Sequence, residues 1–452
     1  MEQQFFDLTN LPRTYFKQTL PVVLGMVVTL IYNLADTYFI ARTGDAYLVA
    51  GVSLCSPVFT ALMAFGNIYG QGGSSLISRL LGRQDSEGVR HVSAFCFYIA
   101  IMTGMILAVP MLVFRQPVLA LIGADADTLP HAVQYFSILA GGAPIIILSF
   151  IHSNLLRCEG KATASMLGTA SGALLNIILD PVLISFLNWG AAGAAIATVL
   201  GYLFSDIILF IIVKKQSRCL SISLREYRIA GSDVRQILGV GITAAITNLA
   251  QSLCMILMNQ YLLVYGSDKI AAMGIVLKVN MIAQLILTGF AFGGVPLFGY
   301  LYGAEDRKRL NKLIGFCLSF LGGLAFIMSV ALFVAAPLLM QTFMDVDSIV
   351  TEGTLMLRWQ VVGNMFAAIV LLMTCLFQAT GKMLAAFLLS ISRQGVLFIL
   401  VLVVAVYIAQ YHGLLASQAV ADFLSALVAI GLYIVIFLRR SGQLEAAHQR
   451  ET

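Results

Sequence analysis

The sequence predicts an all-α membrane protein of twelve transmembrane helices in two pseudo-symmetric six-helix lobes. Three observations predict it. The chain of 452 residues is 60% hydrophobic and only 11% charged, with a mean hydropathy of +0.92. Its apolar runs reach the roughly 20 residues that a bilayer crossing takes, and runs of that length satisfy their backbone in lipid as helices. Two motif pairs also recur at one spacing. GRQD at 82–85 returns as GAED at 303–306, and RCEGKA at 157–162 returns as QATGKM at 378–383, both displaced by 221 residues (303 − 82 and 381 − 160). Gly142 and Gly363 keep the same offset.

In order, the spans fall at 14–42, 48–78, 91–113, 131–156, 163–187, 191–213, 235–264, 270–300, 310–335, 350–377, 384–408 and 414–438. The longest polar stretch, 214–234 (KKQSRCLSISLREYRIAGSDV), reads as a cytoplasmic interfacial linker. It separates an N-terminal lobe, 1–213, from a C-terminal lobe, 235–438, and a cytoplasmic tail takes 439–452. Positive charge sets the orientation. Of the 27 lysines and arginines, 21 fall on one side, among them Arg79, Arg83, Lys214, Lys215 and Arg307, against Arg42, Arg115 and Lys269 on the other. The basic side is the cytoplasm, and an even span count places both termini there. Each half has an even number of spans, so both enter from the same side as parallel repeats about an axis along the membrane normal, a transporter architecture. Acids (Glu2, Asp7) precede any base at the N-terminus, unlike the start of a removable signal peptide. The seven cysteines are scattered without a CxxC pair, as small buried hydrophobes are, and suggest no disulfide framework or metal site.

The stretch 174–184, LLNIILDPVLI, carries the candidate chemistry. An acid inside a span is costly and marks a functional site by default. Asp180 precedes Pro181, which removes a backbone donor and loosens the helix there. Asn176 lies four residues earlier and shares its face. Asp36 in span one and Thr198 in span six fall at a similar depth, about 10 Å below the outer surface at 1.5 Å per residue. Asn33, three residues before Asp36, can share its face. Two such acids brought close would titrate together, and carboxylate, amide and hydroxyl oxygens suit a proton or Na⁺. The repeat is unequal here: Asp180 maps to Val401 and Asn176 to Leu397.

Other charges in spans are Asp206, Asp422, Lys278, Arg358 and Arg393. Structural pairing is expected of them, for example Asp422 with Lys278 or Arg393. Asn33, Lys278, Arg393 and Asp422 are candidates for cavity lining or for structural charge. The 18 methionines and 28 phenylalanines would give a carrier of lipophilic cations soft, aromatic walls. GQGGSS at 70–75 lacks the P-loop lysine and reads as small-residue helix packing. The five histidines form no ligand cluster and no nucleophile–base spacing stands out, so an enzyme is not expected. The basic balance belongs to membrane loops and does not suggest nucleic acid.

The chain resembles the multidrug and toxic compound extrusion (MATE) family over roughly 10–440. The resemblance rests on NLADTYFIARTG at 33–44, SLISRLLGRQD at 75–85, LLRCEGKATASM at 155–166, NIILDPVLI at 176–184, GAAGAAIAT at 190–198, PLFGYLYGAED at 296–306, FQATGKM at 377–383 and ISRQ at 391–394. It implies two six-helix lobes in a V and drug efflux by Na⁺ or H⁺ antiport. Within the family it is similar to the DinF-like branch, whose first-half cation site maps onto Asp36, Asn176, Asp180 and Thr198. Those four would hold Na⁺ if Na⁺ is the coupling ion. The chain departs from related sequences at Val295 and Leu301 in span eight, and span seven offers no Glu.

The expectation is a monomeric, multi-pass antiporter of a prokaryotic cytoplasmic (inner) membrane. It would export amphipathic or cationic drugs for H⁺ or Na⁺ by alternating access, with no cofactor beyond the coupling ion. The alternative is a flippase or exporter for a lipid-linked or other endogenous amphipathic metabolite.

Overall fold

The computed structural model describes residues 5–343 and 346–438, so the expected tail at 439–452 lies outside the described residues. Every regular element among them is helical. α1 (Leu11–Ala41) starts at Asn10, whose side chain accepts from the Arg13 N–H, and it carries Pro21 in its interior. Asp45 caps α2 (Ala46–Leu54) by accepting from two backbone N–H groups. α3 (Ser56–Gly82) follows after a break at Cys55, ahead of Pro57. α4 (Ser86–Val113) is capped by Asp85, and the short α5 (Arg115–Ile122) stops at Gly123 with φ 104°. α6 (Leu129–Gly141) and α7 (Ala143–Cys158) form one crossing bent by 52°. Pro144 supplies the cause, since the residue before a proline is pushed out of helical geometry and proline cannot donate backward. α8 (Ala162–Asp180) runs into a π-helical turn, Pro181–Phe186, and α9 (Gly190–Gln216) returns.

In the second half lie α10 (Gly231–Leu263), α11 (Ser267–Gly293), α12 (Val295–Gly303), α13 (Arg307–Phe343) and α14 (Asp347–Ala379). α15 (Met383–Ile391), a kink where Gln394 and Gly395 leave helical geometry, α16 (Leu397–Tyr433) and a π-helical turn at Ile434–Leu438 complete it.

Nine helical runs among the described residues are long and apolar enough to cross a membrane, and the bent α6–α7 pair is a tenth. One run, Met383–Phe437, holds two crossings, because helical geometry breaks at Gln410 (φ 48°, ψ −120°). The 33-residue α10, about 50 Å long, brings the count to the twelve the sequence predicts.

The chain forms two compact units: residues up to Ala245 together with Pro296–Arg307, and Ile246–Val295 together with the described residues from Lys308 on. Within the first, the glycines that open the two repeat motifs pack reciprocally. A Cβ on Gly82 would run into the Tyr300 carbonyl, and one on Gly303 into the Arg79 carbonyl. The duplication extends to backbone shape: Gln84 and Glu305 both have positive φ (61° and 58°), as do Gly160 and Gly381 (77° and 70°). Each pair is again 221 residues apart.

Also in the first unit, the linker is anchored by Glu159, which caps the end of α7 and is 4% exposed. Its carboxylate accepts from Lys161 Nζ (2.6 Å), the Ser217 hydroxyl (2.7 Å) and the N–H groups of Cys219 (2.8 Å), Leu220 (3.2 Å) and Arg218 (3.2 Å). Ser93 and Tyr98 of α4 hold the next turn at Ser221 and Ile222. In the second unit, an apolar core joins α10, α11, α14 and α16. Asn364 of α14 bridges Asn280 (2.7 Å) and Gln284 (2.5 Å) of α11.

Candidate cation site

The site is built where α8 and α9 touch. Gly168, Gly172, Asn176 and Asp180 recur every four residues and make the buried face of α8. Gly193, Ala197, Gly201 and Ser205 do the same on α9. Gly172 and Gly201 meet backbone to backbone: a Cβ on Gly201 would lie 2.9 Å from the Gly172 carbonyl oxygen and 3.0 Å from Asn176 Cβ. Small residues permit that approach, and close contact substitutes in lipid for the hydrophobic drive that lipid cannot supply. Beyond Asp180, Pro181 cannot donate, and the wider π turn packs its Leu183 carbonyl onto Gly193. Such turns widen a helix locally and favour functional positions.

Asp180 is fully buried, Asn176 2% exposed and Thr198 3% exposed. With the Asn176 amide set to satisfy both ends, its nitrogen donates to Asp180 Oδ2 (3.2 Å) and its oxygen accepts from the Thr198 N–H (3.1 Å). One amide thus ties the acid of α8 to the backbone of α9. The Thr198 hydroxyl faces Tyr135 of α6. Asp36 of α1 is half-buried, and its Oδ1 is buried without a hydrogen-bond partner among the described residues. It is close enough to act electrostatically on Asp180 and on Tyr135. The four positions expected from sequence therefore come together on three helices.

Two cavities open beside them. One of about 130 Å³ is lined by Asn176, Thr198, Tyr32, Tyr202 and Ser149, among others. The other, about 210 Å³, is lined by Asp36, Asn33, Tyr32 and Tyr135. Tyr32, Tyr135 and Tyr202 are members that sequence reasoning missed. Tyr135 lies four residues into span four from the same outer end, so the depth count that found Thr198 would have found it too.

The remaining candidates lie elsewhere. In the second unit Arg393 Nε donates to Asp422 (2.7 Å), whose side chain is 3% exposed, and Gln418 adds a second contact at 3.2 Å. Lys278 is exposed and has no acid partner among the described residues, so of the two bases weighed for Asp422 the geometry selects Arg393.

A duplicated bundle of apolar helices, with a two-carboxylate oxygen site buried in one copy, defines a multi-pass membrane carrier. The comparisons agree with that class. The MatE family profile matches residues 21–182 and 243–404, once in each half. The multidrug export protein MepA of Staphylococcus haemolyticus (strain JCSC1435) is 29% identical over 435 residues, covering 96% of this chain and 95% of that protein. A crystal structure of MATE in the bent conformation superposes with a TM-score of 0.89 at 23% identity, covering 98% of this chain and 97% of that one. An outward-facing multidrug resistance MATE transporter of the MOP superfamily gives a TM-score of 0.87 at 24% identity, over 97% of both chains. The chain belongs to the MatE family of membrane transporters.

Proposed function

We propose that this protein is a secondary-active exporter of amphipathic organic cations, driven by inward movement of H⁺ or Na⁺ through the Asp36, Asn176, Asp180 and Thr198 site. The observation that carries the reading is the tie Asn176 makes between Asp180 and Thr198, with Asp36 close enough to act on Asp180, in the half whose α8–α9 contact is glycine on glycine. Two carboxylates near one another in a low dielectric repel, so loading one positive ion relieves both charge repulsion and desolvation. That gives the loaded and unloaded states different stabilities, which is what biases a conformational equilibrium. Pro21, inside α1 on the Asp36 helix, is a place where the backbone can bend. The name of the staphylococcal relative, a multidrug export protein, supports the substrate class. The basic linker supports a cytoplasmic placement of that side.

The deciding experiment loads the purified protein into vesicles with a fluorescent lipophilic cation. Efflux is measured under a pH gradient alone and under a Na⁺ gradient alone. Efflux driven by either gradient, and lost in Asp180→Asn, is the expected result. Export that ignores both gradients would refute the reading.

A further inference from the structure

Asp206 is a buried acid that the cation site leaves unused. It is 6% exposed, and neither of its carboxylate oxygens has a hydrogen-bond partner among the described residues. A carboxyl so placed is expensive in a membrane helix, and a neighbouring hydroxyl, Ser149 of α7, offsets little of that cost. It lies eight residues past Thr198 on α9, about 12 Å along the axis, toward Lys214 and Lys215 in the last turn. Thr198, Tyr202 and Asp206 are spaced by four and share one face.

The 130 Å³ cavity lies along part of this interval. Asn176 and Thr198 line one part of it and Tyr202, Ser205 and Ser149 another, and the carboxyls of Asp180 and Asp206 are next to lining residues rather than lining it themselves. Its volume admits several waters. The Tyr202 hydroxyl has Tyr32 beside it and feels the charge of Asp206, while the Ser149 hydroxyl of α7 lies next to Asp206 itself. Ser205 Oγ is buried without a partner among the described residues. Among the described residues, His152 of α7 also titrates near this face, its ring meeting Phe210 at 6.5 Å. Arg157, a turn further on α7, is committed to Ser153 and Asn154. From α8 this stretch meets Gly168 and Gly172, which do not titrate.

We propose that Asp206 is the inner station of a proton path. A proton released from Asp36 or Asp180 crosses the hydroxyl-lined cavity through water and protonates the Asp206 carboxylate. Asp206 then returns it to water toward the Lys214 end, so one O–H bond forms and one breaks at each transfer. The proposal rests on the coupling role given to Asp36 and Asp180, and it commits the coupling ion to H⁺. Asp206 falls opposite Leu427 in the repeat (427 − 206 = 221), so the second half has no equivalent.

The test uses the full-length protein in liposomes with a trapped pH dye and ethidium as the cation. Three variants are compared: Asp206→Asn, Asp206→Glu and Asp180→Asn. Ethidium-dependent proton movement is read beside ethidium counterflow at equal pH, which needs no net ion transfer. Proton movement at least tenfold slower in Asp206→Asn, with counterflow within twofold of the unsubstituted protein and partial recovery in Asp206→Glu, is the expected result. Normal proton movement in Asp206→Asn, while Asp180→Asn has lost it, overturns the relay and leaves the cation site standing. Normal proton movement in both variants overturns the relay and the cation site together. Loss of counterflow along with proton movement in Asp206→Asn, unrelieved in Asp206→Glu, makes Asp206 structural and overturns the relay. Export driven by Na⁺ with no proton movement overturns it too.

Discussion

Replacing Glu159 with alanine should release the linker from the first unit. The carboxylate receives five donors, and they fare differently when it is gone. Leu220 N–H keeps the Ser217 hydroxyl at 2.8 Å. Arg218 is exposed, so its N–H reaches water. Lys161 keeps the Gln216 carbonyl and solvent. Cys219 is 2% exposed, and its N–H loses its 2.8 Å bond to the carboxylate. Hydrogen bonds to a charged group are worth about 1.5–3 kcal/mol each, so a loss of roughly 3 kcal/mol is expected after the compensated contacts are discounted. That is a change on the order of 100-fold in the local opening equilibrium. Amide hydrogen exchange over 219–222 reads it directly, with the Ser93 and Tyr98 contacts as the residual tether. Acid should mimic the substitution. Burial pushes the Glu159 carboxyl up, but the Lys161, Cys219 and Ser217 hydrogen bonds outweigh it and hold the group below its usual 4.5. A lowered folded pKa stabilises fully above the unfolded value and is lost as pH falls toward the folded one. Protection in the unsubstituted protein should therefore fall below about pH 4.5, while the variant shows only intrinsic exchange chemistry. Exchange over 219–222 changing less than threefold in Glu159→Ala would refute the clamp.

Asp180→Asn should abolish ion-driven efflux while leaving thermal stability in detergent near that of the unsubstituted protein, because the amide is close in shape and can still pair with Asn176; retained coupling would remove Asp180 from the site. Arg393→Ala should destabilise by about 3–5 kcal/mol, because it strands a buried carboxylate. The apolar double variant Arg393→Met with Asp422→Leu should recover most of that, and thermal unfolding of the single and double variants would show whether it does. Gly172→Leu should cost about 1–3 kcal/mol by overpacking and cut efflux by prising Asn176 from Thr198. Gly322→Leu, where a Cβ meets nothing within 4 Å, is the control, and equal effects at both positions would count against the α8–α9 contact.

The twelve crossings are legible because lipid demands long apolar helices, and the duplication because two turn motifs must keep their backbone shape. The Gly160 and Gly381 turns hold positive φ in both copies, which explains why that glycine survives within otherwise diverged motifs. The breaks inside crossings are less visible. Pro57 and Pro144 announce them locally, yet hydropathy averages over them. Asp36, Asn176, Asp180 and Thr198 can be assembled from depth and helical spacing alone, since both are arithmetic on residue number. The Glu159 clamp cannot, because its partners lie 58 to 61 residues away in a linker whose fold no local pattern fixes. Nor does the sequence choose between Lys278 and Arg393 for Asp422, as only packing shows which base is buried beside the acid.

The repeat also explains why, among the described residues, the proposed oxygen site lies in the first half. Gly172 and Gly201 stand at the repeat positions of Arg393 and Asp422 (393 − 172 and 422 − 201, both 221). In the first half these positions have no side chains, so the backbones touch and a cavity remains beside Asn176 and Thr198. In the second half a guanidinium and a carboxylate fill the same helix pair and bind each other at 2.7 Å. Each copy also interrupts its fifth helix near the charged residue: by a π turn after Asp180 in one, by a kink at Gln394 and Gly395 beside Arg393 in the other. Both halves thus place an acid in apolar surroundings, and both must neutralise it. The second half does so permanently with a cation of its own, Arg393, which cannot leave. The described residues of the first half give Asp180 an amide and a neighbouring acid. On the proposed coupling role, the charge that neutralises it comes from a positive ion arriving from outside the fold, and that difference is why we propose the ion site in the first half.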